Sequence, residues 1–279
     1  MKPLARAKDA FLSWLYVRGP YMRPGLRYLE VNFLLGRIPG LRNLHPWMDP
    51  AKNSMSYMPI KVNAPVGQAV NEVLPPQVVH EFIDQAEHHV IMNTCGCRVA
   101  FECKNHDNSV GCLFMGETAL RMPEKLSRRV TREEAHAHVD RAVENGLVPM
   151  VGKVRVDNFI FLTPDKSQLL SVCFCCHCCC MMGYLKHLAP EHMDEVMVPL
   201  EGAEVRVDEA MCQGCGTCVE TCIFEAIEIR DGKAVHSTRC RACGRCVRYC
   251  PNNAVELTVT GSDFVEKAME RIGAYVKVK

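Results

Sequence analysis

Residues 212–229 read CQGCGTCVETCIFEAIEI and residues 240–257 read CRACGRCVRYCPNNAVEL, an offset of 28 residues that holds at all four cysteines. Each copy spaces its thiols as C-x2-C-x2-C-x3-C. Duplication of a metal-binding unit is the simplest origin of such a pair. Between the copies, Asp231-Gly232 is the signature of a two-residue hairpin turn.

Outward from the repeat, the whole chain has 279 residues, enough for two modest domains that each bury a core, so size imposes no need for disulfides. The chain carries 18 cysteines. A secretory start needs an apolar stretch of about 7 to 15 residues and a small-residue cleavage site. The opening MKPLARAKDAFLSWLYVRGP has only the patch FLSWLYV, which runs into Arg18, Gly19 and Pro20. Nothing approaches the roughly 18 apolar residues of a membrane span. The expectation is a cytoplasmic protein with reduced thiols, in which dense cysteines mean metal before disulfide.

The net charge of +1 hides a gradient. Residues 1–42 hold eight basic side chains (Lys2, Arg6, Lys8, Arg18, Arg23, Arg27, Arg37, Arg42) against Asp9 and Glu30, which against the overall +1 leaves −5 for the rest. Leu4, Phe11, Leu12 and Leu15 recur at helical spacing, so residues 4–17 read as an amphipathic helix, packed on its own domain or docked on a partner or an anionic membrane surface. Pro39, Pro46, Pro50, Pro59 and Pro65 then mark an extended connection.

Regular structure resumes after Pro75-Pro76, where Val79, Phe82, Ile83 and Ala86 form one helical face, followed by the short apolar run VIM. Thr131-x-x-Glu134 is a capping box that opens a second helix ending at Gly146. Val148–Val156, Phe159–Leu162 and Leu169–Phe174 read as strands, with Pro164-Asp165 turning the chain between the last two. Ser262 is placed to cap a C-terminal helix with Phe264, Val265, Ala268, Met269 and Ile272 on one face.

With these elements in place, residues 205–257 resemble a bacterial-type ferredoxin domain with two 4Fe-4S clusters, whose ligand run is C-x2-C-x2-C-x3-C. The resemblance implies that Cys212, Cys215, Cys218 and Cys250 bind one cluster and that Cys240, Cys243, Cys246 and Cys222 bind the other. Cysteines two apart on a tight loop can cap three irons, while the fourth, one helical turn on, points toward the neighbouring cluster. Gly214, Gly216 and Gly244 let the loops curl so that amides reach sulfur. One departure is visible: Pro251 follows the fourth cysteine in the second copy, but Ile223 stands there in the first. Zinc modules usually pair two C-x2-C units and need no triple run, so zinc fits poorly here.

Ten cysteines lie upstream: Cys95, Cys97, Cys103 and Cys112 in CGCRVAFECKNHDNSVGC, and Cys173, Cys175, Cys176, Cys178, Cys179 and Cys180 in SVCFCCHCCCMM. This layout ahead of a dicluster domain, over roughly residues 70–257, resembles a family of cysteine-rich iron-sulfur proteins of anaerobic microbes. An extended run would put Cys173, Cys175 and Cys179 on one side and Cys176, Cys178 and Cys180 on the other; a helical one would align Cys173, Cys176 and Cys180. Ten thiolates suffice for two four-ligand clusters with two spare, or two five-ligand clusters. Vicinal disulfides, a thiol relay, or zinc on Cys95, Cys97, Cys103 and Cys112 are the alternatives.

Arg98 beside Cys97 is either a charge compensator or a surface arginine. His177 is either a fifth ligand or proton donor, or polar filler. His88, His89, His106, His136 and His138 show no metal spacing. No dinucleotide fingerprint, P-loop or Ser-His-Asp set is present, and the basic residues are confined to one arm, which speaks against nucleic acid.

The expected fold is α+β: a ferredoxin-like two-cluster domain with a pseudo-twofold repeat (201–260), fused to an α+β cysteine-rich domain (66–200), with a basic helical and extended arm (1–65) and a C-terminal helix (261–279). The expected function is electron transfer in anaerobic metabolism, with two 4Fe-4S clusters, one or two further iron-sulfur clusters, and redox proteins as donor and acceptor. The alternatives are an iron-sulfur oxidoreductase whose upstream cluster reduces a substrate, and a zinc-stabilised interaction module.

Overall fold

The computed structural model describes residues 7, 10–14, 22–35, 38, 51, 53–57, 76–164, 166–261 and 263–279. Its centre is a six-stranded sheet built from β1 (Ser54–Tyr57), β2 (His89–Met92), β3 (Leu113–Met115), β4 (Ser127–Val130), β5 (Val148–Lys153) and β6 (Leu170–Cys175). The strand order is β1-β5-β6-β3-β2-β4, with every pair antiparallel. Every residue of β1, β2, β3 and β5 is buried, because both faces of the sheet are covered. β2, β3 and β5 accordingly read as short, mainly apolar runs, whereas β1 (SMSY) buries two serines.

Alternation along each strand feeds two cores. Ile91, Leu113, Met115, Val151, Leu170, Val172 and Phe174 pack on one side with the helices Gln77–Gln85, Arg132–Glu144 and Phe264–Gly273. On the other side Val90, Met92, Phe114, Val148 and Met150 meet the helix Arg23–Leu35 and the 3-10 helix Met181–His187. Within β6 the same rule sends Phe174 to the first core and Cys175 to the second. Leu12 is buried in the second core, whereas Phe11 is exposed.

Several expectations hold in detail. Thr131 and Glu134 form the reciprocal capping box, the amide of Glu134 donating to Thr131 Oγ1 at 3.2 Å and that of Thr131 to Glu134 Oε2 at 2.8 Å. That helix ends at Glu144, and Gly146 turns the chain with a left-handed φ of 75°. The stretch Phe159–Leu162 is not a strand. It belongs to the helix Arg155–Ile160 and the turn after it, and β5 stops at Lys153. Short apolar runs do not separate helix from strand by periodicity. Here the helix is fixed by polar bonds, since Asn158 accepts from Lys153 Nζ at 2.8 Å and donates to Thr163 Oγ1 at 3.2 Å. Ser262, Asp165, and the prolines at 39, 46, 50, 59, 65 and 75 lie outside the described residues, as does most of the helix expected over 4–17.

The C-terminal region adds two small ladders. β7 (Ala203–Val207) pairs with β10 (Val255–Val259), and β8 (Ile227–Arg230) forms a hairpin with β9 (Lys233–His236). Asp231 and Gly232 hold φ of 50° and 74°, as a primed two-residue turn requires. Two short helices, Thr217–Thr221 and Arg245–Tyr249, start from Gly216 and Gly244, both left-handed. The sequence repeat is therefore a structural pseudo-twofold. Among the described residues, no helix is long and apolar enough to cross a membrane.

Candidate metal centres

Each half of the repeat contributes a loop bearing three cysteines and a short helix that ends at the fourth. Cys222 closes the helix Thr217–Thr221 and Cys250 closes Arg245–Tyr249. The two helices pass one another, so each fourth cysteine is delivered to the other half. Cys212, Cys215, Cys218 and Cys250 line one cavity, and Cys222, Cys240, Cys243 and Cys246 line another. Backbone amides aim at the sulfurs: Ala226 to Cys222 at 3.4 Å, Ala254 to Cys250 at 3.3 Å and Ala234 to Cys212 at 3.4 Å. Ala226 and Ala254 are equivalent positions in the two copies.

The surrounding charge also fits a polyanionic group. Arg245 is 2% exposed, yet its Nε and Nη1 have no partner. Among the described residues its one bond runs from Nη2 to the carbonyl of Cys175 at 2.8 Å. A buried guanidinium left so poorly paired is costly unless an anion stands beside it. Burial pushes the Cys240 thiol up to about 11 and raises Cys222 and Cys246 as well. These thiols are neutral when free, and a metal would bind them with release of protons.

Residues 211–255 match the family described as the 4Fe-4S dicluster domain. The C-terminal region carries a 4Fe-4S dicluster domain. No curated protein matches the chain. The three-plus-one sharing of cysteines, the sulfur-directed amides and the orphaned guanidinium all suit that domain's clusters, and Ile223 in place of a proline displaces none of the eight cysteines.

Upstream of the dicluster domain the ten cysteines sort into two sets. Neither the extended nor the helical pattern describes the division, because β6 ends at Cys175 and the backbone turns through Cys176–Cys179. Cys103, Cys176, Cys178 and Cys179 gather so that their sulfurs all lie within 4.8 Å of one another. Within this tetrad Cys103 and Cys178 are 3.4 Å apart and Cys176 and Cys179 are 3.2 Å apart. The other six form a connected series: Cys173 to Cys112 at 3.7 Å, then Cys112 to Cys95, Cys95 to Cys97, Cys97 to Cys180 and Cys180 to Cys175. Cys103 therefore stands apart from Cys95, Cys97 and Cys112, and the four-cysteine zinc set drawn from that segment does not form.

Local structure explains the placement. Cys95 is the residue before the helix Gly96–Ala100 and Cys97 lies in its first turn. Cys112 leads into β3, while Cys173 and Cys175 sit two apart in β6. Cys180 rejoins the six-membered set where the 3-10 helix Met181–His187 begins. Hydrogen bonds with Cys112 and Cys97 hold Cys95 well below the ordinary thiol range, and one with Cys179 brings Cys176 down to about 4. Hydrogen bonds from neighbouring thiols favour the thiolate, the form that binds metal.

Arg98 is not a surface residue. It is 1% exposed, donates to the Phe174 carbonyl at 2.9 Å and to that of Val110, and leaves Nε unpaired. Its charge acts on Cys95, Cys112 and Cys180 of one set and Cys176 of the other, so it stands between them. His177 is not among the side chains that converge on the tetrad; its ring lies edge-on to His106 at 6.0 Å and to Tyr249 at 6.1 Å. His89 and His138 spend a ring nitrogen on the carbonyls of Ile83 and Gly111.

A cavity of about 420 Å³ opens beside the six-cysteine set, with Cys95, Cys97, Cys112, Cys173 and Cys180 in its wall. The remaining lining is mainly apolar, with Phe11, Leu26, Phe161 and Met182 among it. Asp157 is the exception: burial pushes its carboxyl up to about 6, and Ser171 and Lys153 offset only part of that. No sequence signal marks Asp157, which falls between the stretches Val148–Val156 and Phe159–Leu162 expected as strands. His80 and His136 likewise stand 56 residues apart in sequence but stack with Nδ1 atoms at 2.6 Å, each also beside an aspartate (Asp140 and Asp84).

Proposed function

We propose that this chain is a cytoplasmic iron-sulfur electron-transfer protein of anaerobic redox metabolism, in which the dicluster domain is fused to an α+β cysteine-rich domain that holds a further cluster. Cys212, Cys215, Cys218 and Cys250 hold one 4Fe-4S cluster, and Cys240, Cys243, Cys246 and Cys222 hold the second. Cys95, Cys97, Cys112, Cys173, Cys175 and Cys180 supply the ligands of the upstream cluster. When bound, such clusters store and pass single electrons at potentials set by charge, hydrogen bonds and burial. The chain's own residues set those terms: the amides of Ala226, Ala234 and Ala254 donate to sulfur, and Arg98 and Arg245 place positive charge beside the thiolates.

The observation that carries this reading is Arg245. It lies between Cys243 and Cys246 in sequence, and it is bonded to the backbone of Cys175. The strand that carries Cys173 and Cys175 and the dicluster domain are thus joined through one buried side chain. Redox proteins serve as donor and acceptor. The exposed Tyr28, Val31, Leu34 and Leu35 of the helix Arg23–Leu35, in a basic segment, support docking on a partner or an anionic membrane surface.

Iron and acid-labile sulfide counted on anaerobically purified full-length protein test the proposal. About twelve sulfides per chain are expected, falling to about eight in the Cys95→Ser/Cys112→Ser variant. Eight in both would overturn the upstream cluster.

The cavity favours a second reading, an iron-sulfur oxidoreductase acting on a small apolar substrate. Its 420 Å³ falls in the range of ligand sites, about 300 to 1,000 Å³. A change in the visible spectrum of the oxidised protein on adding thiols, disulfides or carbonyl compounds is expected for an open site, and a silent spectrum argues for the carrier.

A further inference from the structure

The two upstream cysteine sets differ in shape, and the difference bears on what each can hold. A single ion bound by four thiolates at about 2.3 Å places the sulfurs on the corners of a tetrahedron with edges of about 3.8 Å. A cubane cluster inserts an iron-iron edge between every pair of thiolates and spreads them much further. All the sulfurs of Cys103, Cys176, Cys178 and Cys179 lie within 4.8 Å of one another, whereas the six-cysteine set touches only in successive pairs. Among the described residues the tetrad is the one group of three or more potential ligands that converges so tightly. The eight cysteines of the dicluster domain do not.

From this geometry we infer that Cys103, Cys176, Cys178 and Cys179 bind one tetrahedral divalent ion, zinc or iron, and no cluster. The inference deepens the proposed function: it separates the ten upstream cysteines into six that serve a cluster and four that serve a single ion.

The turn through 176–179 supplies the reason for the close packing. It brings three thiols of a four-residue segment onto one side of the backbone, and Cys103 meets them from the end of the helix Gly96–Ala100, its amide bonded to the carbonyl of Arg98 at 2.9 Å. Four thiolates around a divalent ion carry a net charge of −2, and the Arg98 charge acts on Cys176 from the buried side. Cys178 is exposed, so an ion reaches the site from solvent without opening the core. The ion would pin the turn through 176–179.

The test compares zinc, iron and acid-labile sulfide per chain in the anaerobically purified full-length protein and in the Cys176→Ser/Cys179→Ser variant. The expected result is loss of one metal ion per chain with labile sulfide unchanged. Loss of about four irons with about four sulfides would show a cluster at the tetrad and overturn the inference, as would metal content identical in both. Neither outcome touches the six-cysteine reading, which is judged by the Cys95→Ser/Cys112→Ser sulfide count. If the tetrad variant does not fold, x-ray absorption at the zinc edge of the unmutated protein replaces it. Four sulfur neighbours at about 2.3 Å with no metal neighbour are expected for zinc. If the ion is iron, the oxidised protein shows instead the low-field resonance of high-spin ferric iron in a sulfur tetrahedron. Absence of both signals overturns the site.

Discussion

Arg245 Nη2 donates to the carbonyl oxygen of Cys175 at 2.8 Å, joining a helix of the dicluster domain to the strand that opens the poly-cysteine run. Both partners are buried, and the guanidinium acts electrostatically on Cys243 of the dicluster domain and on Cys175 and Cys180 of the upstream six. Substitution Arg245→Met removes the bond and the charge at nearly constant volume. The expected cost is about 1.5 to 3 kcal/mol, the worth of a hydrogen bond from a charged donor. Loss of a buried cation also disfavours the more negative reduced state, so the reduction potentials shift downward in a redox titration. Arg245→Lys restores the charge but not the planar fork, and recovers potential more fully than stability.

Two glycines of one loop provide an internal control. At Gly214, with φ of 63°, an added Cβ would sit 2.4 Å from the carbonyl oxygen of Gly232, a backbone atom of the hairpin turn. At Gly216, with φ of 81°, an added Cβ meets nothing within 4 Å. Gly216→Ala is expected to cost about 1 to 2 kcal/mol for the left-handed backbone and to keep its iron. Gly214→Ala is expected to lose the iron assigned to Cys212, Cys215, Cys218 and Cys250 in the proposed function, about four atoms per chain. Iron content of the two variants, purified side by side, decides the matter.

Asp157 makes stability depend on pH in a sense opposite to most carboxylates. Its folded value of about 6 lies above its unfolded value near 3.8. The native state therefore holds the proton more tightly. Stability present at low pH falls as pH rises between those values, by about 3 kcal/mol in all, and stays lower above pH 6. Asp157→Asn removes this loss. Unfolding of both proteins followed from pH 5 to pH 8 should show the variant gaining on the parent as pH rises. A gap independent of pH would show that the carboxyl titrates normally.

Much of this was legible in the sequence where the causes are local. The eight cysteines of the repeat lie within 39 residues, and their spacing fixes both the loops and the helical turn that crosses them over. The Thr131 capping box and the Asp231-Gly232 turn are equally short-range. What was not legible depends on distant segments. Cys103 joins Cys178 across 75 residues, and only the turn after Cys175 separates the tetrad from the remaining six. Arg98 suits surface and core alike in the sequence, and it is buried because β6, whose Phe174 carbonyl it binds, passes over it. The helix Arg155–Ile160 looked like a strand because four apolar residues carry too little periodicity, and the polar bonds of Asn158 decided the outcome.

The interleaving of the upstream cysteines constrains how the protein comes into being. Both sets draw on the same two stretches of chain, 95–112 and 173–180, so neither is complete until residue 179 or 180 has left the ribosome. Cys95, Cys97, Cys103 and Cys112 must wait, as bare thiols, for some seventy further residues to be synthesised. Oxygen or a competing metal met during that interval would be captured by half-built sites. On the proposed assignment, faithful loading demands that delivery follow synthesis, and the timing of cofactor insertion becomes part of the fold's specification.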